Sequence, residues 1–299
     1  VCSFAVLAAG ATQNVLAHTG VKDQATEGTT LYSAFTLSHG CASNDVAEGS
    51  ATDLGIDGNT KQKGVIAQTV LFPNADDAVF GKIDAAGYLD PSVDTLDKHI
   101  QGVTGSMLPL TPVVTFPQPF DNTYVVRAAA TNDHAPGGTT RGFQGWNDKE
   151  QIPMGGGTLA LSGFRVAAIK FQPTSCAKSL KVQIAIANYC HAGGKSKDPE
   201  SDRADIWIGA MTGKFNDPLL MPNAAGTKVS TTDTRDKIYW PTLTINRNLT
   251  TNPLPADCNG GYDIGIQPSA RDIDANLPLA TPRAGHKDLP GKNFWPIKQ

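Results

Sequence analysis

The 299-residue sequence predicts an all-β chain folded as an antiparallel β-sandwich with long loops. Three observations predict it. The acidic residues are 24 Asp against 4 Glu, and they stand beside 29 Thr, 30 Gly and 20 Pro. Glu favours helices, whereas Asp, Gly and Pro favour turns and Thr favours strands. Apolar and polar residues alternate in short runs, best in GFRVAAIKFQ (163–172) and SLKVQIAIANY (179–189). Turn residues separate these runs, and no internal repeat interrupts the series.

In chain order, residues 29–39 (TTLYSAFTLSH) read as a strand, 43–64 as a long Asn/Asp/Gly/Ser/Thr loop, and 64–73 (GVIAQTVLFP) as the next strand. Residues 75–105 hold scattered Asp and Gly with a short helix near 94–101. The stretch 106–120 carries four prolines and reads as a linker or as edge strands passing between sheets. Residues 123–130 read as a strand and 131–158 as a Gly/Thr/Asn loop. After the two best strands, 192–204 is a polar surface loop and 203–210 (RADIWIGA) a further strand. Two Thr-rich strands are expected within 227–247 and one within 259–266. The tail 268–299, with five prolines, is expected to wrap the surface.

The composition also excludes classes. Hydrophobic residues are 40% and charged residues 18%, which rules out a disordered polyelectrolyte. A net charge of −3, with no long Lys/Arg run, excludes a nucleic-acid partner or an anionic membrane surface. No run outside the first twenty residues approaches 18 apolar positions, so no transmembrane helix is expected.

Residues 1–17 form an apolar N-terminal segment, and no charged side chain occurs before Lys22. The segment reads as the remnant of a secretory signal, with Val15-Leu16-Ala17 as a small-residue cleavage site. The other reading makes it a strand donated to the sheet edge of a neighbouring copy, which would make the protein a filament or surface-layer subunit.

The five cysteines are Cys2, Cys41, Cys176, Cys190 and Cys258. Removing 1–17 leaves four, the even number that two disulfides in an oxidising compartment require, and four cysteines allow three pairings. No C-x-x-C pair points to zinc.

Recognisable catalytic motifs are missing. There is no G-x-S-x-G, no phosphate-binding glycine loop and no H-E-x-x-H, so no enzyme activity is expected. Asp53 and Asp57 fail the calcium-loop spacing, which leaves the loop aspartates as solvated turns and calcium as the lesser candidate ion. Histidines occur at 18, 39, 99, 134, 191 and 286. Imidazole suits copper and zinc. His39 lies two residues before Cys41 and His191 directly follows Cys190, so pairing of those cysteines would bring both rings to one disulfide. Cleavage after Ala17 would make His18 the first residue. Its α-amine and ring nitrogen would then chelate one ion, an arrangement that suits Cu(II), with Glu27 as an oxygen ligand.

His18 opening the chain, a strand ending His39-Gly40-Cys41, and then Val65-Ile66-Ala67-Gln68-Thr69-Val70 resemble the YcnI-type copper-binding domain. Ala185-Ile186-Ala187-Asn188-Tyr189-Cys190 and Ile206-Trp207-Ile208 resemble its later strands. The resemblance covers about residues 18–213, with large insertions. It implies an Ig-like β-sandwich outside the cytoplasm, a Cys41–Cys190 disulfide and copper at His18. Residues 214–299 have no counterpart in it and form a C-terminal extension. The remaining pair, Cys176–Cys258, would staple that extension to the sandwich. Of the tryptophans, Trp207 reads as core and Trp146 as a loop residue able to face a ligand.

The expected protein is therefore an extracytoplasmic, non-enzymatic copper binder with His18, Glu27, His39 and His191 as candidate ligands. The alternative is a self-assembling subunit using residues 1–17 as a donated strand.

Overall fold

The structure is a computed structural model, and it describes residues 19–37, 65–74, 77–85, 87–91, 95–103, 113–114, 119, 122–127, 140–146, 152, 159–191, 202–209, 212–213 and 240–277. Among these the chain is almost wholly β. The strands are β1 (Gly20–Val21), β2 (Ala25–Thr26), β3 (Leu31–Leu37), β4 (Val65–Leu71), β5 (Val79–Ile83), β6 (Leu89–Asp90), β7 (Val113–Val114), β8 (Asn122–Arg127), β9 (Thr140–Trp146), β10 (Ala160–Val166), β11 (Ala177–Gln183), β12 (Ala185–His191), β13 (Asp202–Trp207), β14 (Thr242–Asn246) and β15 (Tyr262–Gln267). One helix, α1 (Ala270–Asn276), follows.

Three open sheets form. The first has the order β1-β3-β10-β7, the second β2-β14-β11-β15-β5-β6, and the third β13-β12-β4-β9-β8. The first and third are antiparallel throughout. The second is mixed, because β11 runs parallel to β15 and β14 parallel to β2. This amends the expectation of a purely antiparallel arrangement. The run expected at 179–189 is real but divides at Ile184, whose N–H donates to Pro241 O at 2.9 Å. The chain thereby passes from the second sheet into the third without a loop.

Alternation builds the core. On β3, Phe35 and Leu37 face inward, and on β10 Phe164 and Val166 do. Phe35 stacks on Phe164 with centroids 4.5 Å apart and meets Phe72 at 5.8 Å and Phe143 at 6.2 Å, which joins the first sheet to the third. The same buried cluster continues through Leu180, Val182, Leu243, Ile245, Ile264 and Ile266 of the second sheet. A single core thus underlies all three sheets. Each fully buried Phe or Leu in it contributes about 1.5–3 kcal/mol.

Several expectations are corrected. The helix near 94–101 is a single 3-10 turn, Leu96–Lys98. The loop 131–158 contains β9, and the tail contains α1, whose N-cap Ser269 accepts a hydrogen bond from the Asp272 N–H at 3.0 Å. Within the proline-rich 106–120, by contrast, the edge-strand reading holds at Val113–Val114, which pairs with β10. From the stretch read as an extension, β14 and β15 enter the interior of the second sheet.

β9 was hidden by its glycines, and one of them is needed. A Cβ on Gly142 would stand 1.8 Å from Val70 O. Close approach of β4 and β9 therefore demands glycine there. Gly142→Ala is expected to destabilise the protein by about 1–3 kcal/mol or more, with chemical denaturation as the readout. An unchanged midpoint would mean the strands separate freely at that point.

Candidate functional site

The described residues tie several of the candidate positions to one end of the sandwich. β3 ends at Leu37, which packs against Val65 at the start of β4 in a small cluster with Ile152 and Ala160. Val65 is in turn the register partner of Cys190 on β12, after a register shift at Tyr189/Cys190. Cys190 and His191 stand opposite Arg203 and Asp202 of β13. His39 and Cys41 lie two and four residues beyond Leu37, distances of at most about 7 and 14 Å along an extended chain.

The third approach comes from Thr19. Its Oγ1 accepts a hydrogen bond from Asn188 Nδ2 at 2.6 Å, and Asn188 Oδ1 accepts one from Gln68 Nε2 at 2.9 Å. Thr19, Asn188 and Gln68 are all buried. His18 is covalently next to Thr19, and Asn188 is three residues before His191. His18, His39 and Cys41 themselves lie outside the described residues, as do the side chains of Cys190 and His191. His134, His286, the loop holding Asp53 and Asp57, and residues 1–17 also lie outside them. Among the described residues no group of three His, Cys, Asp or Glu side chains is gathered as metal ligands.

The Thr19–Asn188–Gln68 chain was not singled out from sequence. Its signal is visible in retrospect: Gln68 interrupts VIAQTVL and Asn188 interrupts AIANYCH. Amides buried in otherwise apolar strands must find partners, and each unmet group costs about 1–3 kcal/mol. Asn188 finds partners on both sides. Gln68 Oε1 meets no donor among the described residues.

Glu27 is placed elsewhere, between β2 and the loop after β14. Its Oε1 accepts from the Phe171 N–H at 2.7 Å and from Asn252 Nδ2 at 2.8 Å, and its Oε2 accepts from the Asn248 N–H at 3.0 Å. The carboxylate is used as an internal bracket and is not brought to the β4–β12 end. Asn252 relays it to Arg247, whose Nη2 donates to Asn252 Oδ1 at 2.8 Å. Arg247 is 4% exposed and donates in addition to the carbonyls of Pro173, Ser175, Ala177, Asn252 and Pro253. Burial lowers its pKa from the ordinary arginine value, and the charge of Glu27 opposes that shift.

His99 is buried too. Its Nδ1 lies 2.8 Å from Ser175 Oγ, which also accepts the Ala177 N–H at 3.0 Å. The hydroxyl pairs with the ring, in a direction set by the imidazole tautomer, while holding the following turn. Backbone bonds from Gln172 N–H to His99 O (2.8 Å) and from Gln101 N–H to Lys170 O (2.9 Å) dock the 95–103 segment on the same strip. An open cleft of about 520 Å³ lies beside it, lined by Asp97, Lys98, Gln172, Thr174 and Tyr262. Lys82 Nζ sits 4.1 Å from the centre of the Tyr262 ring.

Cys176 and Cys258 form a disulfide, with Cα atoms 5.3 Å apart. The other expected pair, Cys41–Cys190, lies outside the described residues. An intramolecular disulfide is compatible with an extracytoplasmic location, and no helix among the described residues is long and apolar enough to cross a membrane. The chain matches no protein-family model, no curated protein and no solved structure.

Proposed function

We propose that the chain is an extracytoplasmic β-sandwich protein that binds copper at the end of the sandwich formed by β3, β4 and β12, without turnover. One observation carries this reading: residues within two positions of three candidate histidines are anchored on the same pair of strands. Leu37 leads to His39 and packs on Val65. Val65 pairs with Cys190, beside His191, and Thr19, beside His18, is bonded to Asn188. The resemblance to the YcnI-type domain supports the same end, and a Cys41–Cys190 disulfide would close it. Imidazole nitrogens, with the His18 amine where the chain starts at that residue, form a donor set suited to Cu(II). Glu27 is left out of it.

Titration of the metal-free protein with Cu(II), followed calorimetrically and by electron paramagnetic resonance, is expected to show one nitrogen-ligated ion. His39→Ala and His191→Ala should each weaken it by about 10- to 100-fold or more. Affinity should fall on acidification, because the imidazole ligands must be deprotonated to bind the ion. Absence of copper binding, or binding indifferent to both substitutions, sinks the reading.

A second reading, assembly through residues 1–17, is favoured by a different observation. Tyr32, Leu159 and Leu161 are 66%, 54% and 39% exposed around one strand pair of the first sheet. In that reading the His18 amine does not exist, and copper would be left to His39 and His191.

A further inference from the structure

We propose that Asn248 is a modification site, the acceptor of one N-linked oligosaccharide. The inference rests on the extracytoplasmic part of the reading above and not on copper. Asn248-Leu249-Thr250 is the one place in the 299 residues where an asparagine is followed two positions later by Ser or Thr with no proline between. That triplet is the acceptor pattern for N-linked glycans, and it belongs on a surface loop of an exported chain. An exported chain also acquires its disulfides in the oxidising compartment where these glycans are added, and Cys176–Cys258 is such a bond.

The fold puts the triplet where the pattern needs it. It lies just past the end of β14, with Asn248 half-buried, Leu249 52% exposed and Thr250 exposed. The turn is held from behind. The Asn248 N–H donates to Glu27 Oε2 at 3.0 Å, and Asn248 O accepts the Thr251 N–H at 3.2 Å and the Asn252 N–H at 2.8 Å. The side chain is oriented by the same turn, since Asn248 Oδ1 accepts the Thr250 N–H at 3.2 Å and the Thr251 N–H at 3.3 Å. With the oxygen fixed on two donors, the amide nitrogen is the atom on the far side. Nδ2 of Asn248 donates to nothing among the described residues. The two neighbouring asparagines differ: Asn246 Nδ2 donates to Gln24 Oε1 at 2.9 Å and Asn252 Nδ2 to Glu27 Oε1 at 2.8 Å. The one uncommitted amide nitrogen of the three is the one the triplet marks.

The co-reactant is a lipid-linked oligosaccharyl diphosphate, used by a membrane-bound transferase. The bond from the sugar C1 to the diphosphate oxygen breaks and a bond from C1 to Asn248 Nδ2 forms. Nδ2 gives one proton to a base of the transferase, and the lipid diphosphate leaves with the bonding electron pair. Nothing is oxidised or reduced. The product keeps the Asn248 carbonyl oxygen, so both bonds from Thr250 and Thr251 survive, and no internal bond of Nδ2 is displaced. The glycan would stand beside the exposed Leu249 and the Glu27 bracket, which leaves the β4–β12 end open.

The test uses the full chain from its native source, located by cell fractionation. Treatment with peptide N-glycosidase in ¹⁸O water should lower the intact mass by one oligosaccharide. The tryptic peptide 248–271 should then carry ¹⁸O-labelled aspartate at position 248. Thr250→Ala should abolish the modification and Thr250→Ser should retain it. The Thr250 hydroxyl makes no hydrogen bond among the described residues, so circular dichroism of both variants should match the parent. Asn248→Gln, which removes the acceptor itself, is the second variant should Thr250→Ala fail to fold. An exported chain whose 248–271 peptide is wholly unmodified, or a glycan that survives both variants, overturns the site and leaves the extracytoplasmic reading standing. A chain confined to the cytoplasm removes both.

Discussion

Replacing Arg247 by methionine will destabilise the protein by about 3–5 kcal/mol, the largest loss expected from any single side chain described above. Just past the Ser179–Asn246 rung of the β11–β14 ladder, the guanidinium ties the 173–177 turn and the 252–253 loop to the end of β14. It is 4% exposed, so water does not replace it when it is removed. The carbonyls of Ser175 and Ala177 would lose a donor inside the protein, and each buried acceptor so stranded costs about 1–3 kcal/mol, whereas those of Pro173 and Pro253 belong to exposed residues and can turn to water. Glu27 would also lose the cation that Asn252 relays to it. Arg247→Lys keeps the charge but not the planar fork, and an ammonium cannot reach six acceptors in three directions. It is expected to recover less than half of the loss. The measurement is denaturant unfolding of both variants. A methionine variant within 1 kcal/mol of the parent would show that the hub is solvent-compensated and that the second sheet holds its turns by other means.

That hub was not legible in the sequence, and the reason is physical. Arg247 follows the strand-like TLTIN as one more polar residue after an alternating run, and nothing local tells a buried guanidinium from a solvated one. Three of its six acceptors are backbone carbonyls seventy or more positions upstream, and the other three lie in the 252–253 loop. The strands, in contrast, were legible where a single residue period decides the structure. β3 and β11 follow their apolar alternation because one face of each is the more buried, and β4 and β12, buried on both faces at the described side chains, are marked by a near-continuous apolar run. β9 escaped because Gly142 and Gly145 break its alternation, yet Gly142 is demanded by Val70 O across the sheet. α1 escaped because its seven residues sit between prolines in a tail without periodicity. The nearness of Leu37 and Cys190, both beside Val65, could be suspected from the spacing of Cys41 and Cys190 alone. The part played by Thr19 could not, since Asn188 lies 169 residues away from it.

Removing the Cys176–Cys258 bridge will cost about 2–4 kcal/mol, and less than that once Arg247 is gone. The bond spans 82 residues of sequence, long enough for chain entropy alone to place the effect at roughly 4–5 kcal/mol before any native strain. Its two ends are already pinned. The Tyr262 N–H donates to Cys176 O at 3.1 Å, and Arg247 holds the carbonyls on either side of Cys176. Disulfide and guanidinium therefore brace one turn by different means, one through the unfolded chain and one through the folded state. A double-mutant cycle of Cys176→Ser/Cys258→Ser against Arg247→Met should show a coupling of about 0.5–3 kcal/mol, with the combined loss smaller than the sum. Strict additivity would mean that the turn is held independently by each. The same serine pair also separates structure from function. It sits with the Glu27 bracket, away from the β4–β12 end, so copper stoichiometry in the folded fraction should stay at the parent value. Loss of copper along with this bridge would place the metal near Cys176, beside His99, and not at the strand ends that carry His39 and His191.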